Sequence, residues 1–136
     1  MISVLPHDNA DREVLNMASP HRTEAVGYDA MRGLEWSRQE KSVARKAFDL
    51  ALKRELESVM LEAKKRAEKI NQPSELWELE RYLAQRRTDI DRRFDYRYSV
   101  LILVFANLIR QKRLSEKELK GLSEDKLASI RRYAEL

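Results

Sequence analysis

The sequence predicts an all-α fold, on three observations. Charged residues make up 37% of the 136-residue chain, Gly and Pro number only three each, and apolar residues recur at steps of three and four rather than alternating. A chain of this length makes one domain with a real core. Residues 1 to 34 are expected to be an N-terminal extension, flexible or loosely docked, and 35 to 136 the helical domain. The extension holds Pro6, Pro20, Gly27, Gly33 and both histidines, and its apolar residues keep no sustained period. Met31, just before the first strong helix signal, is an alternative start codon.

The first long helix is expected to start at Ser37, where Ser37 and Glu40 form an S-x-x-E capping box. Phe48, Leu52, Leu56, Val59, Ala63, Ala67 and Ile70 then follow as a heptad-like stripe. Ala44, Ala47 and Ala51 broaden it with small residues that admit a close partner. A helix of roughly 33 residues spans about 50 Å. That exceeds what a domain this small can cover, so a second subunit is expected on Phe48, Leu52, Leu56, Val59 and Ala63.

Asn71, Gln72 and Pro73 end this helix, and Ser74 is placed to cap the next. Leu76, Leu79, Leu83, Ile90 and Phe94 form the expected inward face of that second helix. The segment 98 to 109 is apolar nearly all round, and its length and helical surroundings decide for helix over strand. Ser115 with Glu118 makes another capping box, and Gly121 followed by Ser123 separates two short terminal helices.

Several chemistries are excluded or disfavoured. Without cysteine there is neither a disulfide nor a thiolate site. His7 and His21 lack the i, i+4 spacing of a helical metal pair. Asp89 with Asp91, and Glu78 with Glu80, point to different helix faces as surface carboxylates do. No phosphate loop or nucleophile elbow is present. The expectation is a protein that is not an enzyme and needs neither cofactor nor metal. The longest apolar run, Val100 to Ala106, is far below the roughly 18 residues that cross a bilayer, so a soluble, cytoplasmic location is expected.

Charge is uneven. Residues 1 to 35 carry three arginines against six acids, and the remainder carries a net +7. A basic helical body can attract nucleic acid, and Arg92, Arg93, Tyr96, Arg97 and Tyr98 form an aromatic and basic group that can stack on bases. No recognisable nucleic-acid fold accompanies them, and the interspersed acids suit a solvated, salt-bridged surface.

One residue breaks the pattern of the second helix. At about 100° per residue from Leu76, Leu83, Ile90 and Phe94 lie within about 40° of zero, and Arg87 falls at about +20°, inside the apolar stripe. A guanidinium there either snorkels outward or meets a subunit or partner surface. Trp77 lies on the flank of the stripe with Arg81 one turn later, close enough to stack. Tryptophan and arginine on such a border have the composition of a protein-binding hot spot.

From about Trp36 onward the chain resembles the fluorescence recovery protein family of cyanobacteria. The matching segments are E-W-S near residue 36, A-F-x-x-A-x-x-R-E-L at 47 to 56 and L-W-x-L-x-x-[FY]-L-x-x-x-R at 76 to 87. D-I-D at 89 to 91 and D-Y-R-Y-S-V-L-I-x-V-F-A at 95 to 106 complete them. The resemblance implies an all-helical homodimer, joined through a long helix, that binds the photoactivated red form of the orange carotenoid protein. It implies further that this binding speeds return to the orange form and ends phycobilisome quenching, at the cytoplasmic face of thylakoids. Trp77 and Arg87 match the family's functional tryptophan and arginine. Between them the family carries H-D-F-L where this chain has Glu80, Arg81, Tyr82 and Leu83. Leu103 stands where members often have an aromatic residue. The expected partner-binding residues are therefore Trp77, Glu80, Arg81, Arg87 and Leu103. Because Arg81 reverses the charge of the family acid, the alternative expectation is a homologue that uses the scaffold for a different protein partner, or a basic helical nucleic-acid adaptor.

Overall fold

The computed structural model describes residues 31–136. Among them are four α-helices and one short 3-10 helix: α1 (Arg38–Glu68), α2 (Pro73–Arg93), α3 (Leu101–Arg110), the 3-10 turn Glu116–Leu119, and α4 (Glu124–Ala134). There is no named strand among the described residues, as the composition predicts. His7, His21 and the rest of residues 1–30 lie outside the described residues.

Both capping boxes form. Ser37 Oγ accepts from the Glu40 amide at 3.0 Å, and Glu40 Oε1 accepts from the Ser37 amide at 3.0 Å. Glu118 Oε1 likewise accepts from the Ser115 amide at 3.0 Å. The expected cap at Ser74 is corrected. Gln72 is the N-cap and Pro73 opens α2, because proline has no amide hydrogen to lose in the first turn and its φ suits the helix. Glu75 then accepts from the Asn71 and Gln72 amides at 2.5 and 3.0 Å. The helix expected over 98 to 109 starts at Leu101, after a turn at 98–100.

The core centres on α3, where Leu101, Ile102, Val104, Phe105, Ala106 and Leu108 are all buried. Against it pack the first half of α1 through Ala44, Ala47, Phe48 and Ala51, and also Leu114, Leu119, Leu122 and Ile130. Met31, 2% exposed, and Leu34 pack on the same core. Gly121, with φ +117°, turns the chain into Ser123, which caps α4 by accepting from the Lys126 amide. A side chain at 121 would also place its Cβ 2.7 Å from Val43 Cγ2.

Beyond Glu55 no residue of α1 is buried, and on α2 only Ile90 is. The two helices form a hairpin whose far end has no layer above it among the described residues. The expected inward face of α2 is corrected accordingly, since Leu76 and Leu83 are exposed and Phe94 is half-buried. Their periodicity is that of a covered face, but nothing within the described chain covers them.

Candidate functional site

A groove of about 560 Å³ lies between α1 and α2. Phe48, Leu52, Leu56 and Val59 line it from α1, and Leu83, Arg86, Arg87, Ile90, Asp91 and Phe94 from α2 and its end. Four of the five residues expected at a dimer interface therefore share one groove with Arg87. Phe48 forms its floor and is already buried within the chain. Ala63, half-buried, lies further along α1 and outside the lining.

Arg87 is exposed, and no ion pair or hydrogen bond to it is found among the described residues. It reaches the groove rather than the core, so the guanidinium on the apolar stripe carries no burial cost in a single chain. Trp77, 58% exposed, stands on the same helix but outside the groove. Ten residues separate it from Arg87, about 15 Å along the axis. Glu80 and Arg81 are exposed between them. The stacking expected for Arg81 on Trp77 is corrected: the cation-π contact joining these helices is Arg66 of α1, 4.1 Å from the Tyr82 ring centroid. Leu103 is half-buried and packs on the core.

The aromatic and basic group beside α2 is used internally. Trp36, Tyr98, Tyr96, Phe48 and Phe94 form a ladder of ring contacts at centroid distances of 4.9 to 5.6 Å. Arg45 covers the Tyr96 ring at 3.8 Å. Burial, followed by the neighbouring Tyr98, pushes the Tyr96 phenol up to about 12. Tyr96 and Tyr98 thus form part of the packed wall that ends at the groove, which takes them away from base stacking.

Sequence reasoning missed the carboxylates that hold this region. Glu55, only 4% exposed, receives Arg93 at 3.0 Å and Arg113 at 2.7 Å, with Arg86 at 4.0 Å. Burial raises its carboxyl, but the hydrogen bonds and charges of Arg113 and Arg93 outweigh this and hold it below the usual range. Asp89, expected as plain surface charge, pairs with Arg86, Arg92 and Arg93 at 2.9, 3.1 and 2.8 Å. The signal was present: Glu55 stands one heptad after Phe48, inside the apolar stripe, as Arg87 does on α2. Among the described residues no group of His, Asp and Glu could hold a metal ion, and no helix is long and apolar enough to cross a membrane.

The fold has counterparts among solved structures. The family model of the photoprotection regulator fluorescence recovery protein matches residues 36–134. The chain belongs to that family. It is 36% identical over 101 residues to the fluorescence recovery protein of Synechocystis sp., covering 74% of this chain and 93% of that one. The solved structure of the Fremyella diplosiphon fluorescence recovery protein superposes with a TM-score of 0.72 at 39% identity, covering 75% of this chain and all of that one. The Synechocystis structure gives the same TM-score at 35% identity, with the same coverage of this chain. Membership places the chain among regulators of photoprotection, a family described by regulation rather than by a reaction.

Proposed function

We propose that this chain is a non-catalytic regulator that works as a homodimer, binds photoactivated orange carotenoid protein and speeds its return from red to orange, ending phycobilisome quenching. The observation that carries the reading is the open groove between α1 and α2, where apolar side chains meet an Arg87 that has no ion-pair partner among the described residues, on a family scaffold. A second copy seated on Phe48, Leu52, Leu56, Val59 and Ala63 would cover the exposed hairpin. Trp77, Glu80, Arg81, Arg87 and Leu103 are the partner-binding residues. The domain is 35–136, the first 34 residues are an extension whose end packs on it through Met31 and Leu34, and the location is cytoplasmic.

The mechanism is differential affinity. A protein accelerates interconversion of two conformers only by binding the species between them more tightly than the one it starts from. The α2 face that carries Trp77, Glu80, Arg81 and Arg87, all exposed in the single chain, suits a surface that only the photoactivated form exposes. Size-exclusion chromatography of the chain mixed with orange and with photoactivated carotenoid protein tests this directly. Co-elution with the photoactivated form alone is expected, and equal retention of both forms, or of neither, would refute it.

A different protein partner is the second reading, and one observation favours it. Arg81 is exposed, and the family resemblance implies an acid at this position, so the face presents the opposite charge at its middle. If Arg81→Asp creates binding to the carotenoid protein that the parent chain lacks, this second reading replaces the first.

A further inference from the structure

The Glu55 carboxylate belongs to a network that spans three parts of the fold. On α2 it takes Arg93, which also donates to Gln111 Oε1 at 2.6 Å just after α3. Past α3 it takes Arg113, whose carbonyl accepts from Arg54 Nη1 at 3.0 Å. Arg54 in turn holds Glu118 at 2.9 and 2.6 Å. Two consecutive residues of α1, one cationic and one anionic, therefore clasp the 111–118 turn while Glu55 also clasps the end of α2.

The α2 side of this network has a fixed relation to the groove. Around α2, Arg86, Asp89 and Arg93 lie about a quarter turn from Leu83, Arg87, Ile90 and Phe94, at roughly 100° per residue. Apolar anchoring of α2 is thin, since Ile90 is its one buried residue. Packing alone thus constrains the helix's rotation weakly, and ion pairs on its flank supply the missing constraint. Without the Glu55 charge, Arg86, Arg93 and Arg113 would face one another with Asp89 as their remaining near acid, and α2 would rotate or lift to separate them.

We propose that Glu55 is a positioning residue for Arg87: by pinning the Arg86–Arg93 flank of α2 to α1 and to the 111–118 turn, it sets the direction in which Arg87 faces the groove. This rests on the partner-binding reading above, and it extends that reading to a residue that never touches the partner. Glu55 is nearly buried in the single chain and its carboxylate is fully engaged by arginines, so its effect on binding must pass through α2.

The test compares Glu55→Gln, Glu55→Asp and a core control, Ile130→Val, in the full chain. Two quantities are read for each: segment-resolved amide hydrogen exchange, and the concentration giving half-maximal acceleration of carotenoid-protein recovery. Glu55→Gln is expected to speed exchange in 83–94 selectively and to raise the half-saturating concentration about tenfold. Its plateau rate should stay that of the parent, and Glu55→Asp, which keeps the charge, should recover most of the loss. Ile130→Val should loosen α3 and α4 without moving the half-saturating concentration. Exchange that rises evenly over all four helices in Glu55→Gln, or remains unchanged in 83–94, would overturn the proposal. If the parent chain itself gives no acceleration, the partner reading fails, and the exchange comparison still decides whether Glu55 pins α2.

Discussion

Lys126 Nζ lies 3.1 and 3.2 Å from the two carboxylate oxygens of Glu40, although both side chains are nearly buried and 86 residues separate them. Glu40 is also the capping-box acid of α1 and accepts from the Ser123 amide at 2.8 Å. The lysine donates to the Glu35 carbonyl at 2.7 Å and sits 4.8 Å from the Trp36 ring centroid. The start of α1 and the start of α4 are thus joined by one buried charge pair with its remaining hydrogen-bonding capacity largely filled.

Breaking one half of such a pair strands the other. Lys126→Met or Glu40→Gln is expected to lower unfolding free energy by about 3–5 kcal/mol, and the double variant to lose clearly less than the sum. Urea denaturation of the four proteins measures this. Strict additivity would show that the two groups do not interact.

Acid should weaken the fold through a small set of carboxylates. Hydrogen bonding to Arg54, then to the Ser115 amide, holds the Glu118 carboxyl at about 2. Glu40 is lowered too: burial raises it, but the Ser37 and Ser123 amides and Lys126 outweigh that. A depressed folded value means stability that is present above the unfolded value of 4.5 and is lost as pH falls through the folded one. For Glu118 that window runs from 4.5 down to about 2. Glu118→Gln should therefore flatten stability against pH in this window while costing most at neutral pH. A parallel curve, displaced equally at every pH, would contradict the assignment.

Two left-handed positions should respond in opposite ways to substitution. Lys112, with φ +63°, follows the end of α3, where its own and the Arg113 amide close the helix on Ile109 and Leu108. Lys112→Gly should leave stability level or raise it by up to about 1 kcal/mol, because glycine removes the cost of the left-handed backbone. Gly121→Ala should cost about 1–3 kcal/mol through its φ and its collision with Val43. Adding Val43→Ala should rescue the collision and leave the backbone strain. Thermal melts that reverse this order would refute the account of both turns.

The open hairpin predicts self-association. Light scattering should give about twice the 16.1 kDa chain mass at micromolar concentration. Leu56 is 44% exposed, so Leu56→Glu should cost a single chain little and yet release monomers with unchanged helicity. A parent chain that is monomeric at this concentration would rule out the dimer.

The sequence carried the helix set and both capping boxes, because 3.6-residue periodicity and the S-x-x-E pattern are local signals. It was silent on Glu40 with Lys126 and on Glu55 with Arg93 and Arg113, since those partners lie 38 to 86 residues apart. Arg87 was legible because a charge on an apolar stripe is visible on one helix. Trp77 was legible as a border residue, but its separation from the groove was not. Ser74 misled because a serine beside a proline looks like a cap, and the proline itself took the first helical position.

The most direct measurement of the central claim is recovery of photoactivated orange carotenoid protein in darkness, followed from red to orange with increasing amounts of this chain. The account predicts that the parent accelerates recovery and that Trp77→Ala and Arg87→Leu, folded and dimeric as the parent is, lose most of that effect. No acceleration by the folded parent at high excess would contradict the carotenoid-protein assignment.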